Sequence, residues 1–311
     1  MPKKVPPKVK LIQEAKGRRL KEDEKNISFS QFYMYSQCPH KWYLTYVRNL
    51  SPYQPSIYTT FGTALHETVQ EWLEVMYSES AKAADEIDLH ALLRERMIKT
   101  YKKEKYRNGH EHFSDGKELD SFLEDGIQIL DYLKKKRNVY FPIKGTYLAG
   151  IETPILYPIQ ENLYFKGFID LVFYNKNTDR FRIVDIKTST SGWKDYAKKD
   201  TDKISQVLLY KEYFAKQFDT DIDKIDVEYF IVKRKVPKDP DFPAMGRRVQ
   251  EFKPSAGKIN RGRALKKIGE FVKEGFDSTG QFVDKVYQKK PSKNNCRFCV
   301  FKDNPLCNPS F

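Results

Sequence analysis

Residues 164–187 read Tyr-Phe-Lys-Gly-Phe-Ile-Asp-Leu-Val-Phe-Tyr-Asn-Lys-Asn-Thr-Asp-Arg-Phe-Arg-Ile-Val-Asp-Ile-Lys, and the reading of this stretch decides the fold. Two apolar runs, 168–174 and 181–186, flank the polar segment Asn175 to Arg180, which is how two antiparallel strands joined by a turn look in sequence. With the turn centred between Asn177 and Thr178, Asp170 falls opposite Asp185. Strand alternation then predicts Phe168, Asp170 and Val172 on one face with Ile183, Asp185 and Lys187, and Ile169, Leu171 and Phe173 on the other with Val184 and Ile186. Facing carboxylates repel, so this spacing predicts a cation bound between them. Mg²⁺ is the economical candidate, because it takes oxygens from one or two carboxylates and leaves positions for water and phosphate. Lys187, two residues after Asp185, leans over the same site. The competing reading is a surface hairpin whose Asp, Asp, Lys face is merely solvated.

Composition narrows the partners. The 311 residues can bury a substantial core in one or two domains, and 56 Lys plus Arg against 42 Asp plus Glu give a formal charge of +14. A basic surface of that size suits a polyanion, and Tyr and Phe interleaved with Lys and Arg suit stacking on single-stranded nucleic acid. No apolar run approaches the ~20 residues of a spanning helix, so no membrane is expected. The opening Met1-Pro-Lys-Lys-Val-Pro-Pro-Lys has no apolar region of a secretory signal. The expected location is the cytoplasm or another reducing, DNA-containing compartment, with a phage-encoded origin compatible. Cysteines in such a compartment are expected free or metal-bound.

Outward from the hairpin, residues 1–26 are rich in Lys and Arg, contain three prolines and show little periodicity, which predicts a mobile basic arm. The remaining residues, 27–311, read as one domain. Ser28 caps a short helix that delivers Cys38 and Pro39, a second follows from Trp42 to Val47, and Phe61 opens a long helix with the stripe Leu65, Val69, Trp72, Leu73 and Met76. His66 lies just off that stripe. Gly62 within it predicts a helix start or a close approach by another group. Helices at Leu89–Lys105 and Leu119–Lys136 complete a helical insertion of about 67–140 beside the sheet. The strand region begins at Ala149–Pro154, with Glu152 inside it. After the hairpin, Thr188–Lys203, holding Gly192-Trp193, reads as a long functional or mobile loop. A helix with Gln206 and Tyr210 on one face follows, then strands at Val227–Lys233 and Arg247–Phe252, a helix at Lys258–Phe276 and a C-terminal cysteine segment, 296–307. No Gly-x4-Gly-Lys-Ser/Thr loop and no Gly-x-Ser-x-Gly elbow is present, which excludes a nucleotide motor of that type and a serine hydrolase of that type.

Gly62-x3-His66, Gly167-x-Ile-Asp170, Asp185-Ile-Lys187 and Gln206-x3-Tyr210, in this order, resemble the motifs of the PD-(D/E)xK nucleases, and more narrowly their RecB-like and Cas4-like exonuclease branch. The resemblance covers roughly Ile27 to Cys307. It implies an α/β (α+β) restriction-endonuclease-like fold, a central mixed sheet flanked by helices with a helical lobe. It implies that His66, Asp170, Asp185 and the carbonyl of Ile186 bind Mg²⁺ or Mn²⁺, and that Lys187 orients or deprotonates the attacking water. Gln206 and Tyr210 would position the site and the DNA. Glu152 falls where many relatives carry an acid, in a loose motif. Ile169 stands where the superfamily's name has proline. A histidine ligand shifts tolerance towards Mn²⁺.

One cysteine before the nuclease core, Cys38, and three after it, Cys296, Cys299 and Cys307, resemble the pattern by which relatives bind a [4Fe–4S] cluster, a clip joining the two ends. Seven residues separate Cys299 from Cys307 where the family commonly has five, and structural Zn²⁺ is the alternative. The expectation is therefore a metal-dependent DNA nuclease, an exonuclease preferring single strands or free ends in recombination, repair or processing, with a recombination or helicase protein as a possible partner. A catalytically inactive DNA-binding or assembly subunit and a structure-specific endonuclease are the alternatives.

Overall fold

The computed structural model describes residues 5–21, 24–237, 242–243, 245–302 and 305–307. Helix α1 (Pro7–Glu14) and strand β1 (Lys25–Ile27) precede α2 (Phe29–Gln37), whose cap Ser28 accepts the Gln31 N–H at 3.2 Å. Helix α3 (Pro39–Trp42) runs into a π-helical turn, Tyr43–Val47. Then come α4 (Ile57–Ser78), α5 (Ala81–Glu86), α6 (Leu89–Arg107), α7 (Gly116–Lys135) and α8 (Arg137–Tyr140). Strands β2 (Thr146–Gln160), β3 (Leu163–Asn175) and β4 (Arg180–Ser189) follow, then α9 (Asp195–Lys199), α10 (Thr201–Gln217), β5 (Ile225–Lys233), β6 (Val249–Phe252), α11 (Lys258–Gly275) and α12 (Lys293–Cys296).

Among the described residues the strands form one mixed sheet of six. β3 is antiparallel to β2 and to β4, β4 is parallel to β5, β5 is antiparallel to β6, and β1 adds in parallel beside Leu163–Phe165. This is the mixed α/β, restriction-endonuclease-like architecture expected from the sequence. The sheet buries a different core on each face. Val172, Ile183 and Tyr229 pack with α2, α10 and α11, whereas Leu171, Phe173, Val184 and Ile186 pack with α4, α6 and α7. The helical lobe is thus a second wall of the sheet, held by apolar burial.

The hairpin register is the expected one, Leu171 opposite Val184 and Asn175 opposite Arg180, and the pairing ends there, one residue short of Asp170 and Asp185. The alternation expected for Ile169 does not hold. Ile169 belongs to the core of Val172 and Ile183, not to that of Leu171. The break falls at Asp170, where the β2–β3 ladder runs from Ile151↔Leu171 to Thr153↔Ile169 without a Glu152–Asp170 pair. Glu152 has a φ of 47°, and this left-handed residue inside a strand interrupts the pleat.

Residues 1–26, expected as a basic arm, include α1 among their described residues. Val9 and Ile12 of α1 are buried in the core against β2, and Lys8 donates to Asp179 at 2.7 Å. Two apolar residues at i and i+3 suffice to dock one helical turn, a pattern easily lost among the lysines. The two ends of the chain also meet. Trp42, fully buried, lies edge-on to Phe271 at 5.2 Å and to Tyr287 at 5.3 Å between ring centroids.

Candidate active site

Asp170 and Asp185 stand where β3 and β4 part company. The Asp170 carboxylate takes the place of a ladder partner by accepting the Ile186 N–H at 2.6 Å. Burial, and then the nearby Asp185, push its pKa well above the usual carboxylate range. Asp185 is 1 % exposed. The Lys187 ammonium lies 2.8 Å from Asp185 Oδ2 and forms an ion pair with it. Burial alone would lower the Lys187 pKa. The attraction of Asp185 and Asp170 outweighs it and holds the ammonium above its ordinary value.

Helix α4 brings His66 to the same point. Gly62, one turn earlier, faces β4 so closely that a Cβ there would lie 3.2 Å from Thr188 Oγ1. The close approach expected of this glycine is therefore made by a side chain of the strand that carries Lys187. His66 Nε2 lies 2.8 Å from the Ile186 carbonyl oxygen and 3.8 Å from Asp170 Oδ2. Burial lowers the His66 pKa, which favours the neutral imidazole that ligates metals.

Glu152 completes the group. Its left-handed backbone, a conformation costing of order 1–3 kcal/mol, breaks the strand alternation beside Asp170. Ligand atoms of His66, Glu152 and Asp170 all lie within 4.8 Å of one another. Asp185, expected with Asp170 as the carboxylate pair, lies outside that group and is matched with Lys187. Gln70 Nε2 donates to Glu152 Oε1 at 2.7 Å. Sequence reasoning passed over Gln70, although its place four residues after His66 on one helix face was a signal that could have found it.

Gln206 and Tyr210 lie on α10 behind β3, with Gln206 Nε2 donating to the Tyr210 hydroxyl at 3.2 Å. Burial, followed by Asp185, raises the Tyr210 pKa, so the phenol stays neutral. The ring packs on Gly167, where a Cβ would come within 2.6 Å of Cε1.

The cysteines sit apart from this centre, on segments that bind one another. Asn295, beside Cys296, donates Nδ2 to the Gln37 carbonyl at 2.8 Å, and Gln37 precedes Cys38. His40 Nε2 lies 2.9 Å from the carbonyl oxygen of Leu306, the residue before Cys307. The Cys307 thiol is pushed up by burial first and then by Cys299, with Cys38 and Cys296 contributing. Among the described residues the group closed to within 4.8 Å is His66, Glu152 and Asp170, not the four sulfurs.

The family model of the PD-(D/E)XK nuclease superfamily matches residues 26–307, nearly the whole chain. The chain belongs to that superfamily of metal-dependent nucleases. A search of the curated proteins finds no match to it. Among the described residues no helix is long and apolar enough to cross a membrane.

Proposed function

We propose that the chain is a Mg²⁺- or Mn²⁺-dependent deoxyribonuclease, an exonuclease of the RecB-like and Cas4-like kind that acts on single strands or free ends in DNA recombination, repair or processing. One observation carries the reading: His66, Glu152 and Asp170 converge from α4, β2 and β3 beside the Asp185–Lys187 pair. A divalent ion fits the donors. An imidazole and two carboxylates, those of His66, Glu152 and Asp170, bring ligand atoms within 4.8 Å of one another. Such an ion supplies an activated water and a clamp on the phosphate oxygens. In this reading His66, Asp170, Asp185 and the Ile186 carbonyl hold it, and Glu152 adds a further carboxylate. Lys187 presents its ammonium to the attacking water and to the phosphate oxygen on which charge grows. Gln206 and Tyr210 brace β3 from behind and keep the Asp170 segment in place. The formal charge of +14 supports a polyanionic substrate.

Cys38, Cys296, Cys299 and Cys307 are read as ligands of a [4Fe–4S] cluster that ties the chain's ends together. The Asn295–Gln37 and His40–Leu306 contacts support a clip, as does the mutual influence of the thiols on Cys307. Zinc held by the same four thiolates is the alternative occupant. The spectrum of anaerobically purified protein decides: broad visible absorbance with four irons supports the cluster, and a colourless sample with one zinc replaces it. A recombination or helicase protein is the partner class that such an exonuclease would serve.

The activity is tested with single strands labelled at the 5′ or 3′ end, open or blocked. Stepwise release of short products from one open end, abolished by blocking it, is the expected result. Cutting of closed circular single strands would make the protein an endonuclease instead.

A further inference from the structure

The segment between β4 and α10 holds a group that the metal centre leaves unused. Gly192 has a φ of 93°, and its neighbour Trp193 is pinned by one side chain. Gln250 accepts the Trp193 N–H at 2.7 Å and donates its own amide to the Trp193 carbonyl at 3.2 Å. The indole packs on Tyr229 with ring centroids 4.7 Å apart, and Tyr229 is the register partner of Asp185 across the parallel β4–β5 pair. Lys203, in the first turn of α10, sets its ammonium 4.1 Å from the centre of the indole face, and its carbonyl accepts the Tyr229 hydroxyl at 3.0 Å. Lys203, Gln206 and Tyr210, spaced three and four apart, share one face of α10.

This ammonium lacks a matched counter-charge among the described residues. Asp200, the carboxylate whose field reaches it, spends Oδ1 on the N–H groups of Asp202 and Lys203, both at 3.0 Å, and Oδ2 on the Tyr33 hydroxyl at 3.3 Å. Burial, and behind it the like charge of Lys187, lower the Lys203 pKa against the pull of Asp200. A half-buried cation beside a second cation is costly until an anion joins them. An indole face attracts the cation but leaves its N–H donors free on the far side.

We propose that Lys203, seated on Trp193, binds a backbone phosphate of the substrate strand next to the scissile phosphodiester at Asp185 and Lys187. The inference rests on the nuclease reading for the presence of that strand. The Gly192-Trp193 loop then has a role in registering the substrate. Gln250 fixes the indole, the indole fixes the ammonium, and the strand is held one phosphate away from the reacting one.

The test uses the full chain with Lys203→Met, which keeps an apolar stem on the indole and removes the charge, and Lys203→Arg, which restores it. Binding of a fluorescent single-stranded oligonucleotide is followed by anisotropy in Ca²⁺ across a salt series, and cleavage kinetics are measured in Mn²⁺. For Lys203→Met the expected result is about tenfold weaker binding, the loss of one charge-assisted contact. The slope of log affinity against log salt should flatten by ~0.7, one phosphate on a single strand. KM should rise with kcat near the wild-type value, and Lys203→Arg should recover most of the affinity. Unchanged affinity and slope in Lys203→Met would reduce Lys203 to a lid on Trp193 and overturn the inference even if the wild type cleaves DNA. A wild type that binds with the Lys203-dependent slope but never cleaves leaves the inference standing and removes the nuclease reading.

Discussion

Tyr210 occupies the space that a side chain at residue 167 would need: a Cβ on Gly167 comes within 2.6 Å of Cε1 and 3.3 Å of both Cζ and the hydroxyl oxygen. The glycine of Gly-x-Ile-Asp and the tyrosine of Gln-x3-Tyr are therefore two halves of one contact, made across β3 and α10. Gly167→Ala should lower stability by about 1–3 kcal/mol through overpacking and displace the Asp170 strand, with loss of cleavage. Tyr210→Phe in the same background should not relieve it, since the ring edge is what clashes. Tyr210→Leu should give partial relief, read as a positive coupling in a double-mutant cycle of thermal stability.

Gln70 holds Glu152, which in turn faces His66 and Asp170. Glu152→Gln should raise the Mn²⁺ concentration needed for half-maximal cleavage by about tenfold or more, and Gln70→Ala should move it in the same direction by less, the pattern of a supporting hydrogen bond. Calorimetric Mn²⁺ titration of each protein checks both. Equal affinities in all three would remove Glu152 from the metal centre.

Ile12 is buried at 2 % exposure, and its methyl group lies 3.2 Å from where a Cβ on Gly150 would be. Ile12→Ala should cost about 2–5 kcal/mol, the range for a core residue. A midpoint of thermal unfolding unchanged by that substitution would return the N-terminal segment to the status of an arm.

Glu228 is buried at 1 % exposure between Arg182, 3.4 Å from Oε1, and Lys253, 3.5 Å from Oε2. Burial nevertheless raises its pKa, outweighing both cations. A carboxyl with a raised folded pKa contributes stability that is fully present below its unfolded value, about 4.3, and lost as the pH climbs through the folded value. Glu228→Gln does not titrate. Whatever the offset between the two proteins, the wild type should lose ground to the variant as the pH rises above about 4.3 in thermal unfolding.

The hairpin was legible because strand period, turn chemistry and the apolar runs all pointed to one register, and Leu171↔Val184 confirms it. The long helix that carries Gly62 and His66 was legible through its apolar stripe. Local pattern failed where a tertiary contact overrides it. Alternation placed Ile169 with Leu171, but the left-handed Glu152 on the neighbouring strand resets the pleat, and nothing within β3 announces that. Gln70 and Lys203 were missed for the same reason, since each acquires its meaning from a residue more than ten positions away or from a ring beneath it. The helix Asp195–Lys199 was hidden in a stretch whose Ser, Thr, Lys and Asp content reads as loop, and short helices of that kind are set by their surroundings more than by propensity.

The central claim is that phosphodiester hydrolysis occurs at the Asp170–Asp185–Lys187 centre and depends on a divalent ion. The direct measurement is cleavage of a labelled single-stranded DNA by wild type, Asp185→Asn and Lys187→Met in Mn²⁺, Mg²⁺ and EDTA. The account predicts cleavage by the wild type with either ion, none in EDTA, and a loss of about 10²-fold or more in both variants with the fold intact by circular dichroism. Cleavage that persists in EDTA, or variants that cut as fast as the wild type, would contradict it.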